Sequence, residues 1–560
     1  MSWAEAKYII DEVGKKIEAH APVWPQIVVT APAGSTVTAT QGDKVLTAEE
    51  VSGTWTFDVP TYGEWSIHAT LGEDEKTKIV NVAEVKRYTL TITYFVATIS
   101  VDTEEGATVT ASIGSTSYTS QAVDGVATFS VEMPGTYELE CSVDGVKAVN
   151  KAYAIVETKG STVKAAVGFV YGYQRTKATT DPAGRIAYTD DCVGFSPAAM
   201  DFSNGVFLYG SWEAFCTEIN RPVMLKYDGT EDYELDRNDQ TKRADGTSSD
   251  ITSTSYGGNA MSAFKKLYVC REDDGTYETV KFSRFKLNDS YKAYAHTNAN
   301  GVERDYFYYS MFKGSNVSSV LRSIAGQGVM ASQTAATEMT YAKANNTKGG
   351  ISGDGWNTIY KSQWDFINDL LTLITKSDNN QATLGWGRCA SGNSAGITPG
   401  GLKAKGQFFG YTDQTSSVKV FYIEDFYGNY WDRMAGMVLI GGKVYTKMTG
   451  PYPAPTNDAA TYTGAGYVDS GVTVGGTSGQ IVTAAVMSEQ GYIPKTASGG
   501  TSDNTAYCDG LWFNASQVDY ALVGGSWSNG VLVGGRCVDL SYLASITSAN
   551  FVSRLSYLAP

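Results

Sequence analysis

Histidine is nearly absent: the 560 residues hold three, His20, His68 and His296, far apart in the chain. Zinc and iron sites and Ser–His or Cys–His catalysis draw on that side chain, so its scarcity argues against an enzyme. Cysteine is sparse too, with seven residues and no CxxC pair. An odd number cannot all pair, and the pattern fits small apolar residues in a reducing compartment. No apolar run approaches the ~18 residues of a membrane span, so no membrane insertion is expected. Runs of Lys/Arg are missing and the net charge is −15, which excludes a general affinity for nucleic acid. The first residues carry Glu5, Asp11 and Glu12 without a basic or apolar stretch, so no signal peptide is expected and synthesis is cytoplasmic. Leu/Ala-rich helical composition is lacking, which excludes a coiled-coil rod.

What is present is 59 Gly, 36 Tyr, 20 Phe and 11 Trp, with many Ser, Thr and β-branched residues. That composition favours short strands joined by turns, and the length suits several domains at roughly 150 residues each. Residues 1–22 read as a helix, with Trp3, Ala6, Ile10, Val13 and Ile17 at 3-4-3-4 spacing. Such a seam fits either a helix packed on its own chain or an oligomerisation and docking helix. Its β-branched positions lean toward three or more strands, and a homotrimer is expected.

An internal repeat follows. GSTVTAT (34–40) matches GATVTAS (106–112), and GTWTFDVPTYGEW (53–65) matches GVATFSVEMPGTY (125–137), at one offset of 72. Apolar and polar residues alternate within each copy, which predicts two Ig-like β-sandwiches over 24–92 and 93–165, most simply spacers. A connecting region (166–262) then leads into an irregular α+β domain (263–560). Two helices are expected there. SNVSSVLRSIAG (315–326) puts Val317, Val320, Leu321 and Ile324 on one face and stops at Gly326. SQWDFINDLLTLITK (362–376) buries Trp364, Ile367, Leu370, Leu371 and Ile374, with Ser362 and Asp365 in a capping-box-like arrangement. Gly-rich stretches at 391–401, 473–479 and 498–502 read as loops.

The most informative strings come last: Gly428, Asn429, Trp431 and Asp432; then Gly524, Gly525, Ser526 and Trp527; then Arg554 near the end. Their order resembles the C-type lectin fold in its formylglycine-generating-enzyme branch, over roughly 260–560. Enzymes of that branch need close reactive cysteines or a histidine set. Here Cys508 and Cys537 stand 29 residues apart, and no His follows His296. The resemblance therefore implies a scaffold without the chemistry, and no cofactor. For calcium, the carboxylates of Glu424, Asp425 and Asp432 are the candidates, against the plainer reading that they are solvated.

The lectin-like frame resembles that of phage receptor-binding proteins diversified by retroelements. With the tandem GSTVTAT…GTWTFDVP repeat, the strings AYTDDCVGFSP (187–197), RPVMLKYDG (221–229), LRSIAGQG (321–328) and IEDFYGNYWDRMAGM (423–437) resemble tail and prophage structural proteins of gut Firmicutes phages over nearly the whole length. That resemblance implies a virion protein, made in the bacterial cytoplasm, that grips a host cell-surface glycan or protein through its C-terminal domain. Its other partners would be tail or baseplate proteins. The candidate contact residues are Tyr507, Trp512, Trp527, Ser528, Asn529, Asp539, Ser541 and Tyr542. These types make contact area at low entropic cost, although Trp527 reads better as core. The rival readings are an architectural virion protein and a glycan-degrading tailspike, which would need paired carboxylates.

Overall fold

A computed structural model describes residues 24–501 and 504–560. The expected N-terminal helix, with its seam of Trp3, Ala6, Ile10, Val13 and Ile17, lies outside the described residues. The chain is mostly β, 42% strand and 10% helix, arranged in several sheets. Its described residues fall into two units, one of 24–147 and 151–167, the other of 148–150 and the chain from Gly168 onward. The expected boundary at 262/263 lies inside the strand Gly258–Lys265.

The first unit is built from the repeat. Copy one has a sheet ordered Glu50–Val51, Thr54–Asp58, Gln26–Thr30, Arg87–Thr91, its last two strands parallel. Its second sheet is ordered Lys44–Thr47, Thr36–Gln41, Gly63–Leu71, Asp74–Val82. Their inward residues share one core containing Ile27, Val29, Val37, Phe57, Trp65 and Ile67. Copy two repeats the plan, with Thr108–Ile113 and Gly135–Val143 at the 72-residue offset and Thr162–Ala166 running parallel to Ala97–Asp102. Period-two alternation gives strands such as Thr54–Asp58, Gly63–Leu71 and Gly135–Val143 one buried face, and that face is what fixes the register. Trp65 and Tyr137 hold the same place: each is fully buried and donates its polar handle to a carbonyl four residues back, Thr61 at 3.0 Å and Met133 at 2.8 Å.

The second unit has three main sheets. One is ordered Glu231–Glu234, Asn220–Lys226, Gly258–Lys265, Tyr306–Ser310, Leu555–Tyr557, Trp356–Thr358, so the last strand of the chain is seated between two much earlier ones. A second is ordered Ile186–Asp190, Val170–Thr176, Tyr277–Ser283, Tyr268–Asp273. The third and largest contains Trp431–Ile440, Val518–Val523, Val538–Leu540, Gly510–Phe513 and Gln480–Ser488.

The helix Lys361–Thr375 is the expected one at 362–376, but it is buried on every side rather than along one stripe. Its charged residues survive there because each meets a partner. Asp369 accepts from Arg271 (2.7 Å) and Arg536 (2.6 Å), and Lys361 donates to Asp365 (2.6 Å) and the Tyr492 carbonyl (2.9 Å). Arg175 forks onto Asp378 (2.7 and 2.6 Å) and reaches Glu278 (2.6 Å). Burial pushes the Asp369 carboxyl up, but its two arginines outweigh that and hold it below its ordinary value. Asp365 does not close a capping box; it binds Lys361 and accepts from the Tyr492 N–H, and the N-cap is Tyr360 with no side-chain cap.

The expected helix at 315–326 is instead a hairpin, Ser315–Val317 with Val320–Arg322. Ser318 and Ser319 supply the two positive φ values, 53° and 61°, of a tight two-residue turn. Eight residues of apolar spacing cannot separate a helix from two short strands, and the β-branched Val317 and Val320 favour the latter. Conversely, the helix Ala335–Gly349 gave no apolar period, because its buried positions include Ala335, Glu338, Ala342, Asn345 and Asn346. Thr334 caps it, accepting from the Thr337 N–H, and Gly350 ends it at φ 66°. Of the Gly-rich stretches, 473–479 contains the short strand Gly475–Gly476, paired parallel with Thr496 and Ala497.

Removing one partner from this buried ion network strands the others. Asp369→Ala is expected to cost about 3–5 kcal/mol in denaturant unfolding. Asp509, whose carboxyl burial pushes up to about 8, sets a pH dependence. Between its unfolded value near 4 and its folded value near 8 the native state holds the extra proton, so stability falls as pH rises through that window. Thermal melts from pH 5 to 9 should show the fall, and Asp509→Asn should make it shallower.

Candidate functional site

The strand Trp431–Ile440 pairs with Val518–Val523, placing Asp432 opposite Val523. That register brings the two motif strings together. The Gly428 N–H donates to the Gly524 carbonyl (2.9 Å), and the Trp527 N–H donates to the Asn429 carbonyl (3.1 Å). Gly524 sits at φ 87°, and a Cβ there would lie 2.9 Å from the Phe426 carbonyl oxygen, so the close approach of the two strings requires glycine. Gly525 is likewise packed against Val533.

Four loops converge on this junction: 385–399, 411–417, 427–430 and 526–530. Asn429, at φ 65°, is the clasp. Its Oδ1 accepts from the Ile397 N–H (2.8 Å), and its Nδ2 donates to the Ile397 carbonyl (2.9 Å) and to Asp425 (2.7 Å). Asn393 donates to the carbonyls of Gln414 (3.0 Å) and Trp527 (2.9 Å). Arg388 donates to those of Ala395 (2.9 Å) and Thr415 (2.8 Å). Asn529 closes the 526–530 turn by accepting from the Ser526 N–H (2.8 Å) and hydroxyl (2.7 Å). On this frame Trp527 is half-buried, edge-on to the half-buried Tyr430 at 5.1 Å between ring centroids, and Ser528 is exposed. Tyr411 is exposed against Phe409, and Trp386 is partly buried. Trp527, read from sequence as core, is thus a boundary residue.

The other sequence-picked residues lie elsewhere. Trp512 is half-buried, edge-on to the buried Trp431 at 5.5 Å. Asp539 is buried and accepts from the Ser541 N–H (2.9 Å) and hydroxyl (2.5 Å), and burial pushes its carboxyl up to about 6. Tyr542, 39% exposed, packs edge-on to Phe551. Tyr507 is a correction: it is 1% exposed and its hydroxyl donates to Glu278 (2.9 Å), so it belongs to the buried ion network and offers no contact surface.

The carboxylates considered for calcium are not solvated: all three are buried, and each has a protein donor on at least one oxygen. Glu424 accepts from the N–H groups of Gly400 (2.6 Å), Gly401 (3.1 Å) and Leu402 (2.9 Å), and Asp425 is bound by Asn429. Asp432 is bound by Lys313 (2.9 Å) and Arg554 (2.8 Å). Among the described residues no group of three His, Cys, Asp or Glu is placed to hold a metal ion. Cys508 and Cys537 are buried, and burial pushes both thiols well up, away from the reactive thiolate. The His296 ring is fully buried and pulled down to about 3 by that burial.

Sequence reasoning missed two features. Arg388, Asn393 and Tyr430 of the loop junction carry no motif, since only the fold brings residues 388–415 beside 430 and 527. It also missed a cleft of about 460 Å³ beside Arg271, Glu272, Ser290, Met487 and Glu489.

No family model matches the chain, and no curated protein matches it. Among solved structures it is similar to the Bacillus anthracis TIE protein, at 12% identity over 47% of this chain and 48% of that one, TM-score 0.14. The chain spans about half the length of that protein. Similarity is also found to CBMbc (family CBM26) from Eubacterium rectale Amy13K in complex with maltoheptaose, at 10% identity over 25% of this chain and 92% of that one, TM-score 0.10. A Streptococcal ancillary pilin matches at 7% identity over 47% of this chain and 96% of that one, TM-score 0.13. At such TM-scores none of these likenesses assigns a fold or a function.

The clasp role of Asn429 is testable. Asn429→Ala removes three hydrogen bonds and puts alanine at a positive φ; amide exchange should rise in 390–398 and leave the buried helix Lys361–Thr375 protected. Equal deprotection of both would mean that the residue holds the whole unit instead of the loops.

Proposed function

We propose that the chain is a non-catalytic host-adhesion protein of a phage tail. In this reading the two sandwiches are Ig-like spacers, the second unit is a C-type lectin-like frame, and the protein acts as a homotrimer held by its N-terminal segment. The observation that carries it is the loop junction at Asn429. Side chains there are spent on fixing loop backbone, while Trp386, Tyr411, Tyr430, Trp527 and Ser528 are left wholly or partly open to solvent. A rigid frame presenting aromatic rings suits recognition, since rings stack on sugars and fill protein pockets while losing little rotamer entropy. Burial drives the Cys508 and Cys537 thiols away from their reactive thiolates, which favours grip over turnover. Three copies on one tail would raise weak single-site affinity by avidity.

The purified protein should bind host cells and block phage adsorption. Tyr430→Ala with Trp527→Ala should weaken binding at least about tenfold, whereas Tyr542→Ala, in the other region, should leave it intact. Absence of both binding and competition would favour an architectural virion protein, and new reducing ends released from host polysaccharide would favour a tailspike.

A further inference from the structure

Lys313, just past the strand Tyr306–Ser310, meets Asp432 of Trp431–Ile440 in the interior of the second unit. Lys313 Nζ lies 2.9 Å from Asp432 Oδ2, with the two side chains 0% and 1% exposed. The same Nζ donates to the Tyr430 carbonyl (2.7 Å), and Arg554 Nε donates to the same Oδ2 (2.8 Å). The other carboxylate oxygen, Asp432 Oδ1, is buried with no partner. So is Oδ1 of Asp425, a carboxyl within electrostatic reach of both Lys313 and Arg554.

We propose that Lys313 and Asp432 condense to an intramolecular isopeptide bond, with Asp425 relaying protons and Arg554 polarising the reacting carbonyl. The Lys313 amine attacks Cγ of Asp432; the Nζ–Cγ bond forms and the Cγ–Oδ1 bond breaks. Starting from the ion pair, two of the three ammonium protons pass through Asp425 to Oδ1, which leaves as water, and the third remains as the amide N–H. Nothing is oxidised or reduced. Burial favours the reactive forms, pulling Lys313 down toward the neutral amine and pushing Asp425 up toward the acid.

The bonding inventory also favours the product. As an ion pair, Asp432 keeps one buried oxygen without a donor, which carries a desolvation penalty. As an amide, the N–H keeps Tyr430, the remaining oxygen keeps Arg554, and the orphan oxygen is gone. Lys361 and Asp365 make the contrast. They are as buried and closer (2.6 Å), but Asp365 Oδ1 accepts from the Tyr492 N–H, so no oxygen is orphaned and that pair remains ionic.

The test is mass spectrometry of the denatured, digested full chain. The expected result is one branched product joining the Lys313 and Asp432 peptides, lighter than their sum by a single water, with Lys313 unreactive to an amine label in denaturant. Lys313→Arg and Asp432→Ala should abolish it. Should those variants fail to fold, Asp425→Asn keeps the Lys313–Asp432 contact and should leave the two peptides linear. Linear wild-type peptides with a fully labelled Lys313 would overturn the proposal, and a cross-link persisting in Asp425→Asn would overturn the relay.

Discussion

Four acids and four bases buried around one helix are the constraint on which the second unit depends. Lys361, Asp365 and Asp369 lie on the helix; Arg271, Arg175, Glu278, Asp378 and Arg536 come from around it. Taking an ion out of water costs several kcal/mol after relaxation, so these charges are tolerated only in mutual register. Arg271 and Glu278 come from adjacent strands of the four-stranded sheet, and Arg536 lies just before a strand of the largest one. The helix therefore fixes two sheets against each other more sharply than apolar packing would, because a shifted carboxylate loses its partners outright whereas a shifted leucine finds new contacts.

This explains what could be read from the sequence and what could not. The sandwiches were legible because strand alternation is local: Val37, Phe57 and Trp65 face inward by parity alone, and the 72-residue repeat reported the same pattern twice. The buried helix was legible as a helix, since Trp364, Ile367, Leu370 and Ile374 carry its period. Its complete burial was not, because Lys361, Asp365 and Asp369 look like a solvated face until distant arginines are placed beside them. The hairpin at 315–322 was misread for the opposite reason. Its apolar residues fit a helical stripe over too short a window, and the deciding feature is the left-handed backbone of Ser318 and Ser319.

The same division holds at the candidate site. The Gly-Asn and Gly-Gly-Ser-Trp strings marked the junction correctly as a neighbourhood, because their glycines serve backbone approach and leave a trace in the sequence. The individual contact residues left none. Tyr507 and Trp527 are both aromatic residues in polar surroundings, yet one is sealed against Glu278 and the other lies at the boundary. Composition counts rings but does not tell which side of a sheet they face.

Between the helix network and the loops lies the segment 418–432, where Phe421, Tyr422, Asp425 and Asn429 all adopt positive φ. Such backbone costs of order 1–3 kcal/mol per residue and persists only where its surroundings over-determine it. Here they do. Arg554 donates to the carbonyls of both Glu424 and Asp425, the Glu424 carboxylate is cradled by three N–H groups, and Ser262 donates to the Phe421 carbonyl (2.6 Å). The strained stretch is thus a hub that converts the order of the interior into the position of Asn429, and through Asn429 into the position of the loops at Ile397 and Trp527. A surface so anchored can change its exposed side chains without disturbing its backbone, because what fixes the backbone faces inward.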